Sequence, residues 1–324
     1  MTRAIVLHET GGPEKLIWEP VEVGVPGPGE LRVRQTAIGV NFHDTYVRTG
    51  LYKTLSLPGI PGIEAAGVVE LAGPGVAAFV PGDRICYVDP SYGAYSEVRL
   101  LPAALALRLP DAISDEAAAS LLVRGLTACM LLRHTRRVLP GETLLIHAAA
   151  GGVGQLLVHW AKHLGARVIA TVGSPEKAAI ARGCGADEVI LYRKENFVER
   201  VAALTHGRGV DVVYDSVGAD TFSGSVDCLG YFGTLVNFGQ SSGAVPPFPV
   251  SRLAARSNAV VRPILFHYSR ERAARDAMVE ETFRMAQAAV LRPRIGLRLP
   301  LSRAAEAHAA LESRATTGAV ILTV

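Results

Sequence analysis

The residues best placed to do chemistry are Thr143-Leu-Leu-Ile-His-Ala-Ala-Ala-Gly-Gly-Val-Gly154, followed by Gln155-Leu-Leu-Val-His-Trp-Ala-Lys162. The short apolar run predicts a buried strand, the glycines a turn, and the apolar spacing after Gly154 a helix. Ala149, Gly151 and Gly154 occupy the three small-residue positions of a dinucleotide-binding turn, with Ala in place of the first Gly. Small residues at the turn let backbone N–H groups approach a pyrophosphate, and the opening helix points its positive end at that charge. A glycine pattern alone is a weak signal. Its position between strand and helix is what supports it.

A second strand, Arg167–Val172, ends in Gly173-Ser174-Pro-Glu-Lys177. An acid at this point usually binds the ribose 2′-hydroxyl of NAD. A hydroxyl at Ser174 and an ammonium at Lys177 attract a 2′-phosphate instead, so the pocket predicts NADPH. Glu176 is the counter-candidate, although an acid in a first helical turn also serves the helix dipole. Tyr192-Arg193, at the end of a third strand, can flank the same adenosine. Two further strand ends, Asp215-Ser216-Val-Gly218 and Phe238-Gly239-Gln-Ser241-Ser242, belong to the carboxyl edge where such sheets bind ligands.

These residues need a particular frame. The first third reads as β-rich, with strand candidates Ala4–His8, Leu16–Glu22, Glu30–Val40, Ala66–Leu71, Arg84–Tyr87 and Ala94–Leu100 separated by Gly and Pro. Ser114 before Asp115-Glu116 predicts a helix start. Near Ser120 the periodicity changes to alternating strand and helix, with further strands at Thr143–His147, Glu188–Tyr192, Val210–Asp215, Gly233–Phe238 and Ala259–Val261. Helices are expected at Gly154–Leu164 and Glu176–Arg182, then at 271–289 and Arg303–Leu311, with a closing strand Ala319–Val324. That alternation predicts a parallel sheet covered by helices on both faces. The expected division is 1–122 for a β-rich catalytic domain, 123–265 for a nucleotide-binding domain, and 266–324 for a return to the first.

Composition bounds the function. The chain has 324 residues, a size that suits two domains, and 49% hydrophobic with 19% charged residues fits a packed globular protein. The net charge of +3 is spread along the chain; its densest part, Arg133-His-Thr-Arg-Arg137, reads as a solvated helix end. No basic stripe interleaved with aromatics argues for nucleic-acid binding. Four separated cysteines without a CxxC pair argue against a zinc lobe or a disulfide framework. The N-terminus turns polar too soon for a signal peptide, and no apolar run could span a bilayer, so a cytoplasmic protein is expected.

Six segments carry a resemblance: Asn41-Phe-His-Asp44-Thr-Tyr46, Gly62-Ile-Glu64-Ala-Ala-Gly67, Pro81-Gly-Asp-Arg84, His147 to Gly154, Tyr214-Asp-Ser-Val-Gly218 and Glu312-Ser-Arg314-Ala-Thr. From end to end the chain resembles the zinc-independent quinone oxidoreductases, the zeta-crystallin branch of the medium-chain dehydrogenase/reductases. The resemblance implies an α/β fold made of a GroES-like β-rich catalytic domain and a Rossmann doubly wound parallel sheet. It implies NADPH-dependent electron or hydride transfer to a quinone. Enone or alkenal double-bond reduction is the alternative, and a role in AU-rich RNA binding or as a crystallin is the alternative of another class.

By the same resemblance Asn41, Tyr46 and Tyr52 line the nicotinamide and substrate cleft, where an amide and two phenols can donate to a quinone oxygen. Tyr46 and Tyr52 could equally be packing residues with exposed hydroxyls. The cofactor residues implied are Asn41, Gly151, Gly152, Val153, Gly154, Gly173, Ser174, Lys177, Tyr192, Ser216, Phe238, Gly239, Ser241, Ile264, Phe266 and Arg314. Zinc alcohol dehydrogenases of the superfamily place Cys where Asn41 stands and His where Ile63 precedes Glu64, so no catalytic metal is expected. His43, Asp44 and Glu64 are a weak metal pattern on ligand type and spacing. Ala128-Cys129-Met130 departs from the aromatics that close relatives tend to carry. A homodimer is expected through the sheet edge around Asn258–Arg262, because an unpaired apolar edge invites a partner.

Overall fold

Strand and helix alternate through the middle of the chain, whereas strands dominate before it. The computed structural model describes residues 2–324. Its first stretch holds β1 (Thr2–Leu7), β2 (Leu16–Val21), β3 (Glu30–Val40), α1 (Phe42–Arg48), β4 (Glu64–Ala72), β5 (Arg84–Val88), β6 (Val98–Pro102), β7 (Leu107–Arg108) and α2 (Asp115–Cys129). Next come β8 (Thr143–Ile146), α3 (Gly152–His163), β9 (Arg167–Val172), α4 (Pro175–Gly183), β10 (Glu188–Leu191), α5 (Phe197–Leu204) and β11 (Val210–Asp215). They are followed by α6 (Phe222–Asp227), β12 (Leu229–Asn237), β13 (Ala259–Val261), α7 (Leu265–Tyr268) and α8 (Arg272–Gln287). The tail adds β14 (Ile295–Pro300), α9 (Ala304–Glu312) and β15 (Ala319–Thr323).

Two compact units result: residues up to Val123 together with Pro293–Val324, and Arg124–Arg292. The return to the first unit therefore comes at Pro293, not at 266. The reason is α8, whose Met278, Val279, Thr282, Phe283 and Met285 are buried, so that helix is packed into the second unit's body rather than bridging away from it.

In the first unit, strands run in the order β14-β15-β3-β4-β5-β7, with β6 also on β3 and β1 paired to β2 in a separate ribbon. All pairings are antiparallel except β14 with β15. Leu31, Val33, Ile38, Val40, Tyr87, Tyr95, Val320 and Leu322 share one core. The predicted strand Ala94–Leu100 starts four residues later, at Val98. Before it Ser96 makes only an isolated bridge to Ala4, and the Gln35 Nε2 donates to the carbonyls of Ala94 (2.8 Å) and Ser96 (2.5 Å).

The second unit holds one six-stranded sheet in the order β10-β9-β8-β11-β12-β13, parallel throughout. This is the 3-2-1-4-5-6 order of a Rossmann sheet. Strand β8 is buried at every position, as a parallel strand covered on both faces must be. Strand β12 begins at Leu229, four residues before the expected Gly233, and is irregular where it meets β11. Among the described residues, no helix is long and apolar enough to cross a membrane.

Candidate active site

The turn after β8 is shaped by close backbone approaches. Ala148 lies in the left-handed region at φ 50°, and Gly151 caps α3 in extended conformation. A Cβ on Gly154 would stand 2.3 Å from the Ala148 carbonyl oxygen and 2.8 Å from the Ala149 Cα. Only glycine fits there. The N-terminus of α3 thus opens directly from the turn, with its first N–H groups available to an anion. Below it His147 is fully enclosed. Its Nδ1 meets Thr171 Oγ1 at 2.8 Å and its Nε2 meets Ser225 Oγ at 2.9 Å, so one ring ties β8 to β9 and α6. Burial holds its pKa below the ordinary histidine value, which keeps it a neutral strut.

The expected basic residues stand near the end of β9, where α4 begins. Ser174 caps α4 and accepts from the Lys177 N–H at 3.3 Å. The Arg193 Nε and the Tyr192 hydroxyl lie 3.4 and 3.6 Å from the space that a Gly173 side chain would fill. Lys177, in the first turn of α4, has its pKa lowered by burial and then by the charge of Arg193. Glu176 is fully exposed, and its carboxyl is held below the usual range first by Ser174 and then by its own backbone N–H. It acts as a cap on the helix start.

The ends of β11 and β12 are laced together. Phe238 N donates to Asp215 O at 2.8 Å, Ser241 N to Ser216 O at 3.2 Å and Ser242 N to Val217 O at 2.8 Å. Asp215 Oδ1 accepts from the N–H groups of Val217 and Gly218 and from the Thr221 hydroxyl. A Cβ on Gly239 would meet Ser216 O at 2.7 Å, so this glycine too is demanded by close approach. Arg262, just past β13, donates to Gly239 O at 3.0 Å, and Ile264 and Phe266 follow on α7. Ser216, Phe238, Gly239, Ser241 and the start of α7 thus gather at the carboxyl edge of one sheet.

In the first unit the site is made of side chains. Asn41 caps α1, where its N–H donates to Asp44 Oδ2 at 2.7 Å. Its Nδ2 donates to Glu64 Oε1 at 2.8 Å, while Glu64 Oε2 accepts from Val123 N at 2.8 Å. The amide read as a donor to substrate is therefore largely committed, with Oδ1 engaged by the Asp44 N–H in the capping box and one Nδ2 hydrogen left over. Tyr46 and Tyr52 stand edge to face at 5.2 Å, His43 meets Tyr52 at 5.5 Å, and His43 stacks on Tyr92 at 5.9 Å. Burial lowers the His43 pKa to about 4. Arg314 also belongs to this unit, in the left-handed region at φ 55° just past α9.

Residues 27–111 match the alcohol dehydrogenase GroES-like domain, and residues 152–280 match the zinc-binding dehydrogenase family. The chain is 45% identical over 323 residues to a quinone oxidoreductase of Pseudomonas aeruginosa, covering 99% of both. It belongs to the quinone oxidoreductase family of the medium-chain dehydrogenase/reductases. A 2-haloacrylate reductase from a Burkholderia species is 44% identical over 329 residues, again covering 99% of both chains. The crystal structure of Escherichia coli quinone oxidoreductase complexed with NADPH superposes with a TM-score of 0.96 at 44% identity, over the full length of both chains.

Within this quinone oxidoreductase scaffold, several contributors escaped the sequence reading. Helix α1 was seen as a motif without its helical form, although Asn41 and Asp44 stand three apart as a capping pair does. Glu64 entered as part of a motif and of a weak metal pattern, yet its carboxylate accepts from the Asn41 amide. Tyr92, Tyr95 and His308 carried no signal at all. Tyr95 OH meets His308 Nε2 at 3.0 Å and Asp44 Oδ2 at 3.3 Å, a network whose members are up to 264 residues apart in sequence. All four cysteines are free thiols, three of them buried. Arg133 and Arg136, read as solvated, pair with Glu281 (3.2 Å) and Glu142 (2.5 Å).

Proposed function

We propose that this chain reduces a quinone with NADPH. The observation carrying this reading is the tip of β9, where the Arg193 Nε and the Tyr192 hydroxyl flank the space beside Gly173, and Ser174 opens a helix whose first turn carries Lys177. That is a receptor for a phosphate, not for a bare ribose hydroxyl. The turn fits the rest of the nucleotide, since a side chain at Gly154 would collide with backbone. Bound NADPH would supply the reducing electrons, as hydride or singly.

The protein's residues hold and orient. Gly152, Val153 and Gly154 take the pyrophosphate on backbone N–H groups, while the Gly151 N–H closes the turn on Ala148 O at 2.9 Å. Ser216, Phe238, Gly239, Ser241, Ile264 and Phe266 frame the nicotinamide side, and Arg314 adds positive charge. The remaining Asn41 N–H and the hydroxyls of Tyr46 and Tyr52 stabilise charge developing on the acceptor oxygen. Neither Asn41 nor Ile63 offers a thiolate or imidazole, so alcohol oxidation through a zinc-bound alkoxide has no ligand set at those positions. The 2-haloacrylate reductase relative supports a second reading, reduction of an activated double bond with Tyr46 or Tyr52 as proton donor.

A homodimer through β13 is part of the proposal. Ala259 on this edge strand is exposed, and Tyr231 and Phe232 nearby are 73% and 77% exposed, with Phe232 N bonded to Arg256 O. A reducing, cytoplasmic setting accords with four unpaired cysteines. Calorimetric titration of NADPH and NADH into the protein and Lys177→Ala tests the cofactor pocket. Loss of one charge-assisted contact worth about 1.5–3 kcal/mol should weaken NADPH about ten- to a hundredfold, with NADH nearly unchanged. Equal losses would make Lys177 structural. Following NADPH loss with benzoquinones, naphthoquinones and enones then separates the two acceptor readings.

A further inference from the structure

Cys129, His134 and Glu281 take no part in the cofactor or quinone chemistry above, yet one ligand atom from each lies within 4.8 Å of the other two. A change of helix type makes this grouping possible. Five residues of α-helix overshoot a full turn by about 140°, which would splay Cys129 and His134 apart. After Cys129 the chain widens into a π-helical turn over Met130–Thr135, whose hydrogen bonds run from i to i+5. That pattern sets His134 one turn above Cys129.

Glu281 reaches them from α8. Its Oε2 lies 3.6 Å from the Cys129 Sγ. With Zn–S about 2.3 Å and Zn–O about 2.1 Å, a tetrahedral zinc ion holds sulfur and oxygen about 3.6 Å apart. The metal would sit where the thiol proton now points at the carboxylate. The other oxygen, Oε1, is held by Arg133 Nε at 3.2 Å, with Arg284 at 3.9 Å. This second contact orients the carboxylate, as outer partners of metal ligands do. His134 is exposed and can swing inward, whereas Cys129 is buried; solvent therefore reaches the group from the histidine side.

We propose that Cys129, His134 and Glu281 form a zinc-binding site completed by water. Binding forms Zn–S, Zn–N and Zn–O bonds and releases the thiol proton to solvent. Thiolate and carboxylate balance the two positive charges, while Arg133 and Arg284 oppose the cation and make occupancy reversible. The site shares no residue with the quinone machinery. Its effect is to clamp the π-turn to α8 within the second unit.

The test uses the intact protein, freed of metal by chelation and dialysis, and titrated with cobalt(II) as a spectroscopic stand-in for zinc. One equivalent should produce a thiolate-to-cobalt charge-transfer band that zinc abolishes. His134→Ala, an exposed position that leaves the core intact, should lose the band while keeping the wild-type circular dichroism. Cys129→Ser should lose it as well. Zinc should raise the melting temperature of the wild type and not of His134→Ala. No charge-transfer band in the wild type, or an undiminished band in His134→Ala, would overturn the proposal.

Discussion

In the proposed function, the glycine turn of the second unit and the Asn41 helix of the first have the same task, holding donors toward a ligand, and they are built by opposite means. The turn uses backbone. Its donors are peptide N–H groups, and its shape comes from positions where a Cβ would collide with the chain, Gly154 against Ala148 and Ala149. The Asn41 region uses side chains. Asn41 is aimed by Glu64, Asp44 is bonded to Tyr95, and Tyr95 to His308. Arg48 at the end of α1 then pairs with Glu312. A backbone device is local and tolerates few residue types. A side-chain device is spread along the chain and is exposed to any change that strands a buried polar group.

The sharpest way to break the comparison is Glu64→Ala. It leaves the Asn41 amide and the Val123 N–H without their acceptor, and hydrogen bonds to charged groups are worth about 1.5–3 kcal/mol each. Urea denaturation should show a loss of about 3–5 kcal/mol, with Glu64→Gln retaining part of it. A loss below about 1 kcal/mol, the net worth of an ordinary hydrogen bond, would show that the network is ornamental.

Gly154→Ala attacks the other device. Overpacking against backbone should remove about 1–3 kcal/mol of stability, and NADPH binding should fall more than quinone binding does. A variant with unaltered NADPH affinity would mean that the turn can shift without consequence.

Acid titration probes the side-chain device of the first unit, where both His43 and His308 lie. His308 is buried beside Tyr95, and burial followed by Arg48 lowers its pKa to about 3; His43 is lowered to about 4 by burial. The unfolded chain titrates these groups near 6.5, so between the two values it binds more protons than the folded chain. Stability is therefore full above about pH 6.5 and declines as pH falls, by about 1.4 kcal/mol per pH unit for each histidine. His308→Gln should flatten that limb by one proton. An unchanged slope between pH 6.5 and 4.5 would show that His308 is not the group that resists protonation.

The smallest expected effect is none. Asn41 and Ile63 stand where zinc ligands would be needed, so exhaustive chelation should leave quinone reduction at its original rate. Activity lost to a chelator and restored by zinc would reverse this.

Legibility in the sequence followed the same division. The β8 turn, the tip of β9 and the order of strands and helices were readable because each is encoded by neighbours: apolar runs, glycines and a capping serine act over a few residues. Glu64, Tyr95 and His308 were not readable as partners, because nothing in their spacing distinguishes a network member from an ordinary polar residue. The unit boundary at Pro293 escaped for a related reason, since the mixed surface of α8 does not announce which body will bury Met278 and Phe283.

The amino-acid sequence by itself determined the two-part α/β architecture, the small-residue turn after β8, and the absence of Cys and His at positions 41 and 63. Periodicity and turn chemistry are short-range properties, and they carry that much. Only the tertiary structure decided that one Asn41 N–H is committed to Glu64, that His147 ties three elements together, and that a π-turn gathers Cys129 and His134 with Glu281. Each of these depends on side chains far apart in sequence, whose contacts exist only after the sheets and helices have packed.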